Sequence, residues 1–219
     1  MDTADFAYGP DIPGEAELRL LGPVEGKRIL VLGCRRTDAV LSLARNDAKV
    51  IAVDHVPRRV DKARETCERE GVRAEFHRSD LADLAFLRGD SIDLSLSVSA
   101  LAEVEDLNRV FRQVHRVLGG NAPLVLSLPH PAAACLDPSA AVPAGGQGGE
   151  PPRLVRRYAD PSPLPSRADG IEAEHPHTIG GLFTSLARAK FRVDTFLEPV
   201  PAGAWLPATL ILRARKEGS

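Results

Sequence analysis

Short apolar runs alternate along this chain with stretches whose apolar residues recur at helical spacing. The runs fall at residues 29–32, 50–53, 72–77, 92–98 and 123–128, each long enough for a buried strand. Between them, Val40, Leu43 and Ala44 share one helical face, as do Val56, Val60, Ala63 and Cys67. Leu107, Val110, Phe111, Val114, Val117 and Leu118 trace a longer stripe. Pro57 stands at a first helical position, and Gly71 and Gly119-Gly120-Asn121 supply stops. A short helix is expected over 15–21 and another over 81–87. Strands alternating with helices predict an α/β fold, an open and mostly parallel sheet with helices on both faces.

The texture changes after Pro131. From there to about Asp169 the chain is rich in Ala, Pro, Gly and Ser and shows no periodicity, so it lacks the apolar surface to offset its ordering entropy. Residues 131–170 are read as a mobile lid or partly disordered insertion, disordered over about 139–152, within a single domain spanning 1–219. Thr178 then caps an amphipathic helix carrying Ile179, Leu182, Phe183, Leu186 and Ala187. Two final strands, 191–198 and 208–215, are joined by VPAGAWLP, too short for a crossover helix, and should be antiparallel neighbours.

Composition narrows the setting. The 219 residues are 43% hydrophobic with a net charge of −2, enough for a full core and without a general attraction for nucleic acid or anionic membranes. The three cysteines, Cys34, Cys67 and Cys135, lack metal-ligand or CxxC spacing and read as reduced thiols. The acidic start does not look like a secretion signal, and no apolar run nears the roughly 20 residues that span a bilayer. A cytoplasmic protein without nucleic-acid or membrane partners is expected, with a homodimer left open.

Candidate chemistry gathers where strands end. The first strand breaks at Gly33-Cys34-Arg35-Arg36-Thr37, and the second ends in Asp54 followed by His55. In open α/β sheets nucleotides lie across such strand ends, against the first turn, and an acid there can accept both hydroxyls of a ribose. Asp54 could instead cap a helix. Ser79, Asp80 and Leu81 follow the third strand, where Asp80 either meets a ligand or caps the next turn. Ser97 closes the fourth strand, and Tyr8 either covers a ligand or packs on the surface. His130, His175 and His177 are the candidates for proton transfer, on the expected substrate side and beside the lid. Their surroundings lack the carboxylate spacing of a metal site. Arg35 could enter the pocket and pair with Asp54 or Asp80, or it and Arg36 could point outward and leave the turn intact.

With these residues in place, the chain resembles the class I S-adenosylmethionine-dependent methyltransferases that act on small molecules. Residues 28–131 carry most of the likeness, DSIDLSLSVSALAEVEDLNRVFRQVHRVLGGNAPLVLSLPHP prominently, and HPHTIGGLFTSLARAKFRVDTFLEP carries the rest. The resemblance implies a seven-stranded, Rossmann-like, mostly parallel sheet with one antiparallel strand. It also implies S-adenosyl-L-methionine as cofactor and a small-molecule methyl acceptor. It matches the turn from Gly33, Asp54 and Asp80 to cofactor contacts; with them Tyr8, Cys34, Arg35, His55, Ser79, Leu81 and Ser97 are taken as candidate cofactor residues, and His130, His175 and His177 remain the candidates for catalysis. Four positions depart from the family pattern. Val31 replaces an acid, Arg35 and Thr37 replace glycines, and Ala102 stands where many relatives have His. They motivate the alternative of a catalytically inactive, methyltransferase-like binding or scaffold protein. A nicotinamide-dependent oxidoreductase shares the Asp54 logic but lacks a GxGxxG turn.

Overall fold

The computed structural model describes residues 5–137, 151–166 and 173–218. The strands are β1 (Arg28–Leu32), β2 (Lys49–Asp54), β3 (Ala74–Arg78), β4 (Leu94–Val98), β5 (Pro123–Pro129), the two-residue β6 (Leu164–Pro165) and β7 (Ala173–Glu174), β8 (Phe191–Leu197) and β9 (Thr209–Lys216). The helices are α1 (Glu15–Leu18), α2 (Thr37–Arg45), α3 (Pro57–Arg69), α4 (Leu107–Val117) and α5 (Ile179–Arg188). Seven strands form one sheet in the order β3-β2-β1-β4-β5-β9-β8, and β6 pairs with β7 apart from it.

The first five strands in that order are parallel, whereas β9 runs antiparallel to both β5 and β8. The class expected from the sequence is therefore the one observed, down to the antiparallel pairing of the last two strands. Because β9 reverses direction between β5 and β8, the carboxyl ends of β1 to β5 and of β8 share one edge of the sheet.

Alternation of side chains across the strands separates two cores. On one face Leu30, Leu32, Val53, Leu124 and Leu126 pack with Val110, Phe111 and Val114 of α4 and Leu182 and Leu186 of α5. On the other, Ile29, Val31, Ala52, Leu94 and Leu96 pack with Val40 and Leu43 of α2, Val60 and Ala63 of α3, and the N-terminal Phe6 and Tyr8.

Two expected helices are shorter or absent. The first stops at Leu18, because Arg19 turns left-handed at φ 49° and the Glu15 carboxylate accepts the Leu20 and Leu21 amides that would otherwise continue the helix. Over 81–87 the apolar residues Leu81, Leu84 and Leu87 are buried at a spacing of three, but by successive turns. Asp80 Oδ1 accepts the Ala82 amide and Asp83 Oδ1 the Ala85 amide, so local side chains outcompete the helical ladder. The Ser139–Pro152 disorder reading falls largely outside the described residues; those after 150 fold back, with the Val155 amide donating to the Cys135 carbonyl.

Candidate functional site

The turn after β1 sets the site. Gly33 takes φ +90°, and its amide donates to the Val53 carbonyl at 2.7 Å, tying the ends of β1 and β2 together. A Cβ built on Gly33 would stand 2.1 Å from Cβ of Ala100, in the 3₁₀ turn Ala100–Glu103 that follows β4. Glycine is therefore needed here for backbone conformation and for contact within the chain.

Asp54 lies beside this turn, 1% exposed. Its Oδ2 accepts the Cys34 amide at 2.7 Å and its Oδ1 the Val56 amide at 2.8 Å. The acid thus caps the entry to α3 and at the same time braces the first turn, joining roles the sequence left as alternatives. A carboxylate has about four acceptor positions, of which two amides take two, leaving a pair for a cis-diol. His55 is adjacent, with Nδ1 3.7 Å from Asp54 Oδ1. Ser79 donates its amide to the Asp54 carbonyl at 3.2 Å, and so brings the end of β3 to the same edge. Cys34 is buried in the turn, and burial pushes its thiol up to about 12, so it stays protonated. All three cysteines are free and buried.

The two departures in the turn are accommodated. Thr37 is simply the first residue of α2. Arg35 is absent from the residues at positive φ and points away from Asp54 and Asp80: its Nη1 lies 2.9 Å from Glu174 Oε1 and 3.4 Å from Glu103 Oε1. Arg36 faces outward and pairs with Asp38 at 2.6 Å. An arginine does approach Asp54, but it comes from α3: Arg59 Nη1 is 3.8 Å from Asp54 Oδ2 and 2.7 Å from Glu103 Oε2. Asp54, Arg59, Glu103, Arg35 and Glu174 therefore form a chain of alternating charge. Sequence reasoning missed Arg59, Glu103 and Glu174. For Arg59 a signal existed, since it shares the helical face of Val56, Val60 and Ala63 and is buried with them.

Beside the turn, residues 173–177 cross the Ala100–Glu103 turn as a strap. The His175 amide donates to the Ala102 carbonyl at 2.7 Å, and His177 Nε2 donates to the Val104 carbonyl at 2.9 Å. Under the strap lies a small cavity of about 30 Å³, lined by Ala102, Leu128, Pro129, Leu164, His175 and His177 among others. Burial holds His177 below its ordinary pKa of 6.5, against the pull of the Val104 carbonyl, so the imidazole is neutral near pH 7.

The other candidates lie elsewhere or are committed. Tyr8 is fully buried in the second core, where its hydroxyl donates to Glu15 Oε2 at 2.6 Å and its carbonyl accepts Ser127 Oγ at 2.7 Å. It is therefore a core residue and not a surface one. Ser97 is equally buried and donates to the Leu32 carbonyl at 3.1 Å, bridging two strands. Asp80 is exposed and caps its own turn through the Ala82 amide, and Leu81 is a core residue. His130 has both nitrogens engaged: Nδ1 accepts the Ala132 amide at 3.1 Å, which leaves Nε2 to donate to Glu198 at 2.7 Å. His130 is thus fixed at the carboxyl edge, whereas His175 and His177 reach the cavity. Among the described residues no cluster of His, Cys, Asp and Glu could hold a metal ion, and no helix is long and apolar enough to cross a membrane.

Comparison with known proteins agrees with this geometry. The sequence profile described as a methyltransferase domain matches residues 29–121. A curated relative, the ubiquinone biosynthesis O-methyltransferase of Azorhizobium caulinodans, is 27% identical over 111 residues, 51% of this chain and 44% of the relative. The alignment thus spans less than half the length of that relative. An S-adenosylmethionine-dependent methyltransferase structure from Mesorhizobium loti matches with a TM-score of 0.74 and 26% identity, covering 91% of this chain and 95% of that one. The fold is shared with a putative S-adenosylmethionine-dependent methyltransferase from Listeria monocytogenes, at a TM-score of 0.71 and 21% identity over 92% and 96% of the two chains.

Proposed function

We propose that this chain, which is similar over residues 29–121 to a methyltransferase domain and over 91% of its length to an S-adenosylmethionine-dependent methyltransferase, transfers a methyl group from S-adenosylmethionine to a small molecule held beneath the 173–177 strap. The observation that carries this reading is the Asp54 carboxylate, braced by the Cys34 and Val56 amides next to the Gly33 turn, with two acceptor positions remaining for a ribose. The cofactor supplies a methyl group already activated by its sulfonium.

The chain's own residues then have three tasks. Asp54 and the Gly33 turn hold the nucleoside end. Leu128, Pro129, Pro131 and Leu164 present an apolar wall that excludes water from the acceptor side. His177, neutral and donating through Nε2 to Val104, keeps the lone pair of Nδ1, which suits it to accept the proton an acceptor hydroxyl loses as it is methylated. His175 shares the cavity. An oxygen on a largely apolar small molecule is the acceptor supported best, by this lining and by the O-methyltransferase named among the relatives. The scaffold alternative drew on four departures from the family pattern, at Val31, Arg35, Thr37 and Ala102; of these, Arg35 turns away from Asp54 and Thr37 is the first residue of α2.

Isothermal titration with S-adenosylmethionine and S-adenosylhomocysteine tests the reading. Saturable heat and a thermal shift with both are expected. Neither heat nor shift at millimolar ligand refutes it. Incubation with ¹³C-methyl-labelled cofactor and a panel of phenols and apolar alcohols then tests the acceptor class by mass spectrometry.

A further inference from the structure

The five alternating charges running from Asp54 to Glu174 are more than a turn needs for its own stability. Arg59 and Glu103 form the inner part: the Glu103 side chain is 1% exposed, the Arg59 side chain 8%, and they meet at 2.7 Å. Arg35 and Glu174 form the outer part, with side chains 25% and 20% exposed. Glu103 belongs to both, accepting from Arg59 through Oε2 and from Arg35 through Oε1. The strap that carries Glu174 is otherwise lightly held. Among the described residues its ladder is the two-residue pairing of β6 with β7, and its other ties include the His175 amide on Ala102, the His177 ring on Val104 and a 3.4 Å contact from Ser166 Oγ to Glu174 Oε1. So short a ladder has little stability of its own.

We propose that this ion chain is a latch: Glu174 on Arg35 holds the strap down over the cofactor edge, and releasing that pair opens the site to ligand. In this conformation Asp54 is 1% exposed, so a nucleoside can reach it only when something moves. The pair that yields most readily is the partly exposed outer one. When Glu174 leaves, Glu103 keeps Arg35, and the inner Arg59 pair stays in place, so the arginine of the turn is parked away from Asp54 instead of competing for it. Glu103 is thereby a positioning residue with two partners, and Glu174 is the moving half of the latch. The gating part of this inference rests on the methyltransferase reading; the latch itself does not.

The experiment separates the two. Amide hydrogen exchange of the full-length protein, resolved at His175, is measured without ligand for the wild type, Glu174→Gln and Arg35→Gln, with Asp90→Asn, whose partner is Lys216, as a remote control. Both latch variants should exchange about two- to fivefold faster, the range for partly exposed ion pairs, and the control should match the wild type. Raising the salt should speed the wild type and leave Glu174→Gln almost unchanged. Equal exchange in wild type and both latch variants overturns the latch. The association rate of S-adenosylhomocysteine is then followed by stopped flow. A rate raised in Glu174→Gln supports gating, and an unchanged rate in a variant whose strap exchanges faster overturns it. Absence of binding in the wild type by calorimetry sinks the methyltransferase reading instead, while the exchange result still decides the latch.

Discussion

Replacing Gly33 by alanine should separate the two demands placed on that position. A non-glycine residue held in the left-handed region costs on the order of 1–2 kcal/mol, and Gly33 sits at φ +90°. The added Cβ would also meet Ala100 Cβ at 2.1 Å, well inside contact distance. Relief requires the 3₁₀ turn Ala100–Glu103 to shift, an overpacking cost of about 1–3 kcal/mol. Together these predict a loss of roughly 2–5 kcal/mol, read as a fall in the urea midpoint without a change in slope, or a drop of about 2–4 °C in Tm per kcal/mol for a chain of this size. Because Glu103 rides on the displaced turn, Gly33→Ala should also weaken the Arg59 and Arg35 pairings and with them cofactor binding. The double variant Gly33→Ala/Ala100→Gly removes the clash and leaves the backbone strain, so it should regain part of the loss, less the glycine's own cost of about 0.5–1 kcal/mol. A single variant within about 0.5 kcal/mol of the wild type would refute the reasoning.

Asp54→Asn exchanges one acceptor oxygen for a donor that must face the Cys34 or Val56 amide. It should cost about 1–3 kcal/mol of stability in denaturation and lower S-adenosylhomocysteine affinity at least tenfold in calorimetry. Tyr8→Phe leaves Glu15 with only the Leu20 and Leu21 amides; burial already pushes this carboxyl above its ordinary range. The variant should lose about 1.5–3 kcal/mol in urea titration while cofactor affinity stays unchanged, which a role in covering the ligand would contradict. His177 is held below 6.5 by burial, so its unfolded form binds the proton first. Its contribution to stability is complete above about pH 6.5 and is lost as the pH falls towards its lower folded pKa. Denaturation midpoints between pH 5 and 7.5 should show that slope flattened in His177→Asn, and the methyl-transfer rate should stay level through neutrality and fall only on the acid side.

Much of the fold was legible because its signals are local. Apolar runs of four to seven residues marked five strands of the main sheet, two longer stretches near the end of the chain marked the last two, and Val110, Phe111 and Val114 marked α4 as a face against it. The length of VPAGAWLP alone made the last pair antiparallel. Where the signal misled, at 81–87, a spacing of three was shared by a helix and by a series of turns, and only the Asp80 and Asp83 side chains told them apart.

The site divides along the same line. Sequence alone determined that a glycine turn and an acid would meet at the ends of adjacent strands, because chain order and right-handed crossovers leave little choice. It did not determine what the charged side chains would do. Arg35 finds Glu103 68 residues away and Glu174 139 residues away, and Arg59 finds Glu103 across 44. Such pairs are set by burial and by the packing of the Ala100–Glu103 turn on Gly33, and no periodicity records them. The same tertiary arrangement put Tyr8 and Ser97 in the interior and left Asp54, the residue on which both the fold and the proposed chemistry turn, 1% exposed between the Cys34 and Val56 amides and Arg59.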